Sequence, residues 1–277
     1  MPGAVGRDTS AMEGGNGEGR IVVERSGPRV TITVDRPEKR NAFSRHLQDE
    51  LAAALDELAA DESIALVILT GAGDRNFVSG GDLKALSEIR TTDAAREMAL
   101  HARAVLDRIR RFPAPVVAAI NGDALGGGAE LAVACDFRLL ASDARLAFVQ
   151  GRHAISTAWG GGVDLVQLIG RSRALRILAT CEYVDHEHGL AIGLYDRCAA
   201  DGGSLAAVVE EFVAPMLRQP ARVLRTYKAM AVAARMNGER PALEATELDY
   251  FVDSWVHDDH WAALDSFMNR GKSPGTN

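Results

Sequence analysis

The spacing of apolar residues predicts a series of strands and helices that begins near residue 20. Two β-branched runs at 21–23 and 30–34 flank Ser-Gly-Pro at 26–28, and this pattern predicts a β-hairpin. Leucines at helical spacing then predict an amphipathic helix at 45–60. Further along, the patterns alternate, with buried strands at 65–70, 116–120 and 137–141 and helices at 95–111 and 130–134. Such alternation is typical of parallel sheet built from βαβ-like units.

Beyond about residue 163 the strand pattern fades and helical periodicity dominates. The predicted helices lie at 163–169, 174–179, 205–217, 221–235, 242–256 and 260–269. Residues 1–19 are rich in Gly, Ser, Asn and Glu and lack apolar periodicity, as disordered segments do. The sequence therefore predicts a disordered leader at 1–19, an α/β core at 20–200 and a mostly helical C-terminal region at 201–277.

Composition and charge are those of an ordinary globular protein. Of the 277 residues 47% are hydrophobic and 25% are charged, and a net charge of −7 without a long basic run argues against a nucleic-acid partner. No apolar stretch reaches the ~18 residues of a membrane span and no signal peptide is evident, so we expect a cytoplasmic protein without a membrane partner. The three cysteines form no CxxC motif, which favours buried reduced thiols.

Two glycine-rich turns are the candidate chemical features of the core. One lies at 77–83 and the other at 121–130, each between a strand and a helix. Glycine lets backbone N–H groups approach a ligand closely, and the first N–H groups of a helix are unpaired and carry positive partial charge. Two such groups that converge on one oxygen form an oxyanion hole. No GK[ST] follows either turn, so a P-loop is not indicated.

Four segments, in this order and spacing, resemble signature segments of the crotonase (enoyl-CoA hydratase/isomerase) superfamily. They lie at 35–42, 77–83, 125–136 and 159–162, and the similarity extends over about 21–270. The resemblance implies a spiral of ββα turns with a helical C-terminal region that mediates trimerisation, the trimers often pairing into hexamers. It also implies an acyl-CoA thioester as substrate and no cofactor beyond the coenzyme A that the substrate carries.

The resemblance also implies where the substrate binds. The backbone N–H groups of Gly81 and Gly127 would hold the thioester oxygen and stabilise an enolate. The other implied contacts are with coenzyme A, from Lys39, Arg40, Ala42, Asp82 and Leu83, and with the acyl group, from Trp159 and Gly160. Hydration, isomerisation and decarboxylation of acyl-CoA all pass through such an enolate, so the oxyanion hole leaves the reaction open.

Side chains after the second turn must decide the reaction. Glu130 matches the first catalytic glutamate of the family's hydratases and follows Gly127 by three residues, so one helical turn brings it to the same pocket. The hydratases carry a second glutamate twenty residues further on, where this chain has Gln150. Glutamine orients a water but cannot take its proton, a loss of ~10²–10⁴ in hydration rate. His153 is either a replacement acid or base, or a structural histidine.

Four functions stay open on these residues. The first is a hydratase-like acyl-CoA lyase with one catalytic glutamate, and the second is a decarboxylase of a 2-alkylmalonyl-CoA. The third is an enoyl-CoA isomerase, and the fourth is a catalytically silent scaffold subunit. A local resemblance to the ethylmalonyl-CoA decarboxylase branch supports the second; it is carried by residues 77–83, 134–139, 148–149 and 159–161 and by Trp255, which follows Glu247 and Asp249 at similar spacing.

Two histidine pairs are the remaining candidates for a chemical role. His186 and His188 are two residues apart on a predicted helix, so their side chains point apart. His257 and His260 have suitable spacing but no matching third ligand nearby. We therefore expect no metal site.

Overall fold

The computed structural model describes residues 17–236 and 240–269. Of the predicted leader, residues 1–16 lie outside the described residues. The strands are β1 (Arg20–Ser26), β2 (Arg29–Asp35), β3 (Leu66–Gly71), β4 (Asn76–Val78), β5 (Val116–Ile120), β6 (Asp123–Leu125), β7 (Phe137–Leu140), β8 (Leu146–Ala147) and β9 (Arg197–Cys198).

The helices are α1 (Arg45–Ala59), α2 (Leu83–Leu86), α3 (Thr92–Arg110), α4 (Gly127–Ala134), α5 (Gly161–Ile169), α6 (Arg171–Thr180), α7 (His186–Ala191), α8 (Leu205–Leu217), α9 (Ala221–Met236), α10 (Arg240–Val256) and α11 (Asp258–Asn269). Short 3₁₀ helices lie at Pro37–Lys39 and Gln150–His153. The strands and helices that the sequence predicts are all present, with ends shifted by a few residues. The short strands β4, β6, β8 and β9 and the short helix α2 were not predicted, because two to four residues carry too little periodicity.

The larger sheet has the strand order β1-β2-β3-β5-β7-β9. β1 and β2 form the predicted antiparallel hairpin, and every other neighbouring pair is parallel. On β2, Val30, Ile32 and Val34 are fully buried and alternate with more exposed positions, so one face of this strand joins the core. The opposite face of the sheet is covered by α8, through Val209 and Val213.

A smaller parallel sheet has the order β4-β6-β8. Each of its strands follows a strand of the larger sheet and precedes a helix or turn, so the chain advances in ββα units. This arrangement confirms the ββα spiral core that the resemblance implies. Since β4 and β6 are neighbouring parallel strands, their carboxyl ends meet at one edge of the sheet, which brings the two glycine turns together.

The C-terminal helices pack back onto the core. α10 lies against α3 and α5, and α11 lies against the 3₁₀ helix Gln150–His153. Trp255 on α10 is buried and its indole N–H donates to the carbonyl of Ile89 at 3.0 Å. Among the described residues, no helix combines the length and the apolar character needed to cross a bilayer.

Candidate active site

The two glycine turns open onto one cleft of about 780 Å³. Gly81 and Gly127 both line it, each at the point where a short strand leads into a helix. The N–H of Gly127 belongs to the first turn of α4, where no preceding helical carbonyl is available to it. The cleft therefore has backbone donors of the kind that an oxyanion hole requires.

Most of the residues singled out in the sequence line this cleft. They are Lys39, Arg40, Ala42, Gly81, Asp82, Leu83, Gly127, Glu130, Gln150, His153 and Trp159. Gly160, expected in the acyl pocket, is not among the lining residues that the structure describes. Its α-carbon faces Arg110, since a Cβ there would lie 2.9 Å from Nη2 of that arginine, and its N–H donates to Glu247.

The indole of Trp159 forms the wall beside the two glycines. A Cβ built at Gly127 would lie only 2.2 Å from Cζ3 of Trp159, and one built at Gly81 would lie 3.8 Å from its Cζ2. The ring is buried and meets Phe43 edge-on, with ring centroids 6.3 Å apart. Because of this close contact, position 127 requires a glycine for packing alone, independently of any role of its N–H group in binding.

The carboxyl group of Glu130 is buried and has three hydrogen-bond donors. Its Oε2 accepts from the backbone N–H groups of Trp159 at 2.8 Å and Gly161 at 2.9 Å. Its Oε1 accepts from Nε2 of Gln150 at 3.0 Å. Because two N–H groups occupy Oε2 and a single amide donates to Oε1, Oε1 is the oxygen that has a lone pair left to carry a proton.

The environment of Glu130 favours its protonated form. Burial raises its pKa, and the charge of Glu247 raises it further, while the N–H groups of Gly161 and Trp159 and the amide of Gln150 act in the opposite direction. The net effect raises the pKa of Glu130 to about 7. A pKa raised toward neutrality suits a general acid or base.

Arginines from α3 support the loop that carries Trp159. Arg103 donates to the carbonyl of Ala158 at 2.9 Å and pairs with Glu247 at 2.9 Å. Arg110 is fully buried; it donates to the carbonyl of Trp159 at 2.7 Å and pairs with Asp164.

These supporting residues were not predicted from the sequence. Glu247 was named there only because of its spacing from Trp255. The signal available in the sequence was the presence of Arg103 and Arg110 on the apolar side of an amphipathic helix. Charged residues at such positions are seldom buried unless they are paired, so they point to carboxylate partners elsewhere.

The C-terminal helices close the far side of the cleft. Its lining from these helices consists of Phe251, Trp255, His260, Ala263, Leu264, Phe267 and Met268. His260 Nδ1 lies 2.6 Å from the carbonyl oxygen of His153, and its ring centroid lies 4.6 Å from that of Trp255. Burial lowers the pKa of both histidines, although for His260 the contact with the His153 carbonyl acts in the opposite direction.

The segment that leads into α1 forms the opposite mouth of the cleft, where Lys39, Arg40 and Ala42 lie. Buried Asn41 holds this segment: its side chain accepts the N–H of Arg36 at 3.0 Å and donates to the carbonyl of Asn76 at 2.8 Å. Arg40 and Asn41 both have left-handed backbone conformations, with φ of 55° and 54°.

Asp82 is engaged with protein groups. Its carboxylate pairs with Arg36 at 2.8 Å and caps the start of α2 through the N–H of Lys84. Burial acts to raise its pKa, but the pairing with Arg36 prevails and holds that pKa below its ordinary value. The observed contacts of this carboxylate fix the first glycine turn against the segment at 36–42.

Comparisons with known proteins agree with this geometry. The sequence profile of the family described as "Enoyl-CoA hydratase/isomerase" matches residues 26–275. The ethylmalonyl-CoA decarboxylase of Danio rerio is 37% identical over 228 residues, which are 81% of this chain and 75% of that protein. The short-chain-enoyl-CoA hydratase of Clostridium acetobutylicum is 28% identical over 255 residues, 92% of this chain and 97% of that protein.

A solved structure has the same fold. The crystal structure of an enoyl-CoA hydratase/isomerase from Xanthobacter autotrophicus Py2 superposes with a TM-score of 0.82 at 25% sequence identity, covering 91% of this chain and 93% of that one.

Proposed function

The chain belongs to the enoyl-CoA hydratase/isomerase family, and within it we propose that this protein decarboxylates a 2-alkylmalonyl-CoA. The observation that carries the proposal is that Glu130, among the described residues, is the one buried carboxyl group lining the cleft that Gly81 and Gly127 also line. Among the described residues, the other carboxylates that line the cleft are Glu38, which is exposed, and Asp82, which pairs with Arg36. Decarboxylation needs one proton donor, whereas hydration by two carboxylates also needs a base that takes the proton of water.

The proposed reaction uses the cleft as follows. The thioester oxygen accepts hydrogen bonds from the N–H groups of Gly81 and Gly127. The bond between C2 and the carboxylate carbon breaks, CO₂ leaves, and the electron pair forms an enolate whose oxygen lies between these donors. Oε1 of Glu130 then gives its proton to C2, and the resulting carboxylate takes up a proton from solvent. The sum is one proton consumed and one CO₂ released.

Sequence relationships support this choice. The relative that is 37% identical to this chain carries the name ethylmalonyl-CoA decarboxylase, and the same name is given to a Mus musculus protein that is 32% identical over 87% of the chain. A 2-alkylmalonyl-CoA is accordingly the substrate class that we propose. The reaction needs no cofactor beyond the coenzyme A of the substrate.

Hydration of an enoyl-CoA is the second candidate. The amide of Gln150, 3.0 Å from Glu130, stands where it could orient a water. A hydratase relative also matches over almost its whole length. This candidate requires Glu130 to act as the base in the absence of a second carboxylate.

One mass-spectrometric experiment separates the two reactions. The purified protein is mixed with crotonyl-CoA in one tube and with ethylmalonyl-CoA and methylmalonyl-CoA in another. We expect loss of CO₂ in the second tube and little gain of water in the first. Gain of water with no loss of CO₂ would contradict the proposal and favour the hydratase.

Two substitutions test the residues that carry the proposal. Glu130→Gln keeps the size of the side chain but removes the proton donor, so turnover should fall ~10²–10⁴-fold while a coenzyme A thioester still binds. Unchanged turnover would remove Glu130 from the mechanism. Gln150→Glu supplies a second carboxylate and should raise hydration of crotonyl-CoA; no gain would show that this position does not hold the water.

We also propose that the protein assembles as a homotrimer or a hexamer. Tyr227 and Met230 on α9 and Tyr250 on α10 are large apolar or aromatic side chains that are more than half exposed in the single chain. The resemblance implies trimerisation through the helical C-terminal region, and these three side chains lie in that region. Light scattering at several protein concentrations gives the assembly mass, and a monomer throughout would contradict this.

A further inference from the structure

The start of α5 is shared by two carboxylates that come from distant parts of the sequence. The four consecutive backbone N–H groups of 159–162 are divided between them alternately. Those of the odd-numbered residues donate to Oε2 of Glu130 at 2.8 and 2.9 Å. Those of the even-numbered residues donate to Glu247 on α10, at 2.9 and 3.2 Å. Both acids therefore lie at the positive end of one helix.

The two glutamates pack directly against the glycine backbone of this loop, with no room for a side chain between them. A Cβ at Gly161 would lie 2.4 Å from Cγ of Glu130, and a Cβ at Gly162 would lie 2.9 Å from Oε1 of Glu247. The two side chains thus pack against consecutive residues of one turn. Two carboxyl groups held so near each other cannot both ionise without mutual repulsion, and the negative charge of one disfavours ionisation of the other.

The partners of the two acids differ. Glu247 has a charged partner, Arg103 at 2.9 Å, and accepts the hydroxyl of Thr157 at 2.6 Å, and its side chain is only 8% exposed. Within the described residues, the hydrogen-bond donors to Glu130 are neutral: two backbone N–H groups and the amide of Gln150. Of the two acids, Glu247 is therefore the one with a positively charged partner.

We propose that Glu247 is the positioning residue of this site. Held by Arg103, it fixes the loop that fixes Glu130, and it places a second negative charge beside Glu130, which disfavours ionisation of Glu130. The inference rests on the proposed role of Glu130 as proton donor. It is consistent with the pKa of Glu130, which burial and, next, Glu247 raise to about 7. Glu247 touches no substrate in this role and acts through Glu130.

The pH profile of Glu247→Gln tests the role. The amide keeps the size of the side chain and an accepting oxygen but removes the charge, so Glu130 should lose its proton at lower pH. We expect the alkaline limb of kcat to move down by about one pH unit or more, with KM changed less than about threefold. If the alkaline limb of the Glu247→Gln profile stays at the same pH, the proposal is overturned.

Asp249→Asn is the matched control. It makes the same charge change two residues further along α10, but Asp249 is exposed and pairs with Arg96 on the surface. The alkaline limb of the Asp249→Asn pH profile should coincide with that of the protein without a substitution. An equal shift in both variants would assign the effect to net charge and contradict a specific role for Glu247.

An infrared titration gives a readout that does not depend on activity. The protonated-carboxyl band that disappears in Glu130→Gln reports the proton on Glu130, and its midpoint is measured with and without Glu247→Gln. We expect a lower midpoint in the variant. If the unchanged protein releases no CO₂ from any malonyl-CoA, the proposed function fails, but this titration still decides whether Glu247 controls Glu130.

A milder variant covers the case in which Glu247→Gln does not fold. Thr157→Val removes one hydrogen bond from Glu247 and keeps its charge and its pairing with Arg103. The carboxylate then loses part of its alignment with the loop, and kcat should fall by about threefold to tenfold with KM little changed. Unchanged kcat in a folded Thr157→Val protein would count against the positioning role.

Discussion

The two walls of the cleft are held in place in different ways. The glycine-turn wall, at Gly81 and Gly127, consists of backbone N–H groups that the neighbouring strands β4 and β6 bring together. The glutamate wall, formed by Glu130 and the loop 157–162, is held by side chains from three helices, with partners as far away in sequence as Glu247. The first wall depends on local backbone geometry, and the second depends on buried charge.

This difference determines how each wall can fail. A backbone N–H donor is kept in every substitution except one by proline, so most substitutions damage the first wall through steric crowding. The second wall contains ionised groups that are taken out of water, and such groups are stable only while each has its partner. Substitutions in the first wall should therefore reduce catalysis more than stability, and substitutions in the second should affect both.

Among substitutions in the two glycine turns, the largest effect on catalysis is expected from Gly127→Ala. The new methyl group would overlap the ring of Trp159, with 2.2 Å to Cζ3, so either the indole or the N–H of residue 127 must move. Loss of one oxyanion donor lowers kcat by ~10²–10³-fold. Steady-state kinetics measure this, and a thermal melt serves as the control for folding. Activity within tenfold of the unchanged protein would mean that this glycine is needed for packing alone.

Arg110→Met is expected to destabilise the fold by about 3 kcal/mol, since it leaves buried groups without their partner. Asp164 would keep Arg235 and Arg240, so the loss should lie near the lower end for buried pairs. Chemical denaturation measures the change. Arg108→Met is the control on the same helix, because Arg108 is partly exposed and pairs with Asp56, and it should cost less than about 1 kcal/mol. Equal losses of unfolding free energy in the two variants would contradict the claim that the glutamate wall depends on buried charge.

The pH dependence of decarboxylation should reveal which protonation state of Glu130 works. As a proton donor it is active when protonated, and burial together with Glu247 raises its pKa to about 7. The rate should therefore be level on the acidic side of this pKa and fall about tenfold per pH unit above it. A rate that rises with pH instead would show that Glu130 acts as a base, as hydration requires.

The smallest effect is expected from Gly81→Ala. The added methyl group would lie 2.7 Å from Cδ1 of Leu86, the end of a flexible side chain, and 3.8 Å from Trp159. Leu86 can turn away, so we expect a loss of about tenfold or less in kcat and an unchanged melting temperature. A loss as large as that of Gly127→Ala would show that both turns are equally rigid.

Much of the glycine-turn wall could be predicted from the sequence. The two turns stand in continuous segments between strand and helix patterns, and Glu130 follows the second turn by one helical turn. The resemblance to a known family depends on the same segments, so Gly81, Gly127, Glu130 and Gln150 could be named without coordinates. The short strands that join the turns could not, because three residues give no reliable periodicity.

The glutamate wall shows what the sequence left undecided. The letters Trp-Gly-Gly-Gly at 159–162 mark a turn, but they do not say that Arg110, Glu130 and Glu247 pack against its three glycines in order. Nor do they say that α10 and α11 close the cleft.

By itself the sequence determined the order of elements, the family and the backbone donors, because these depend on neighbouring residues and on patterns that repeat along the chain. The tertiary structure alone decided which carboxylates are buried, which arginines pair with them and at what pH Glu130 holds a proton. Those properties depend on charge, distance and loss of water, which arise only when residues that are far apart in the sequence, such as Arg103 and Glu247, come into contact.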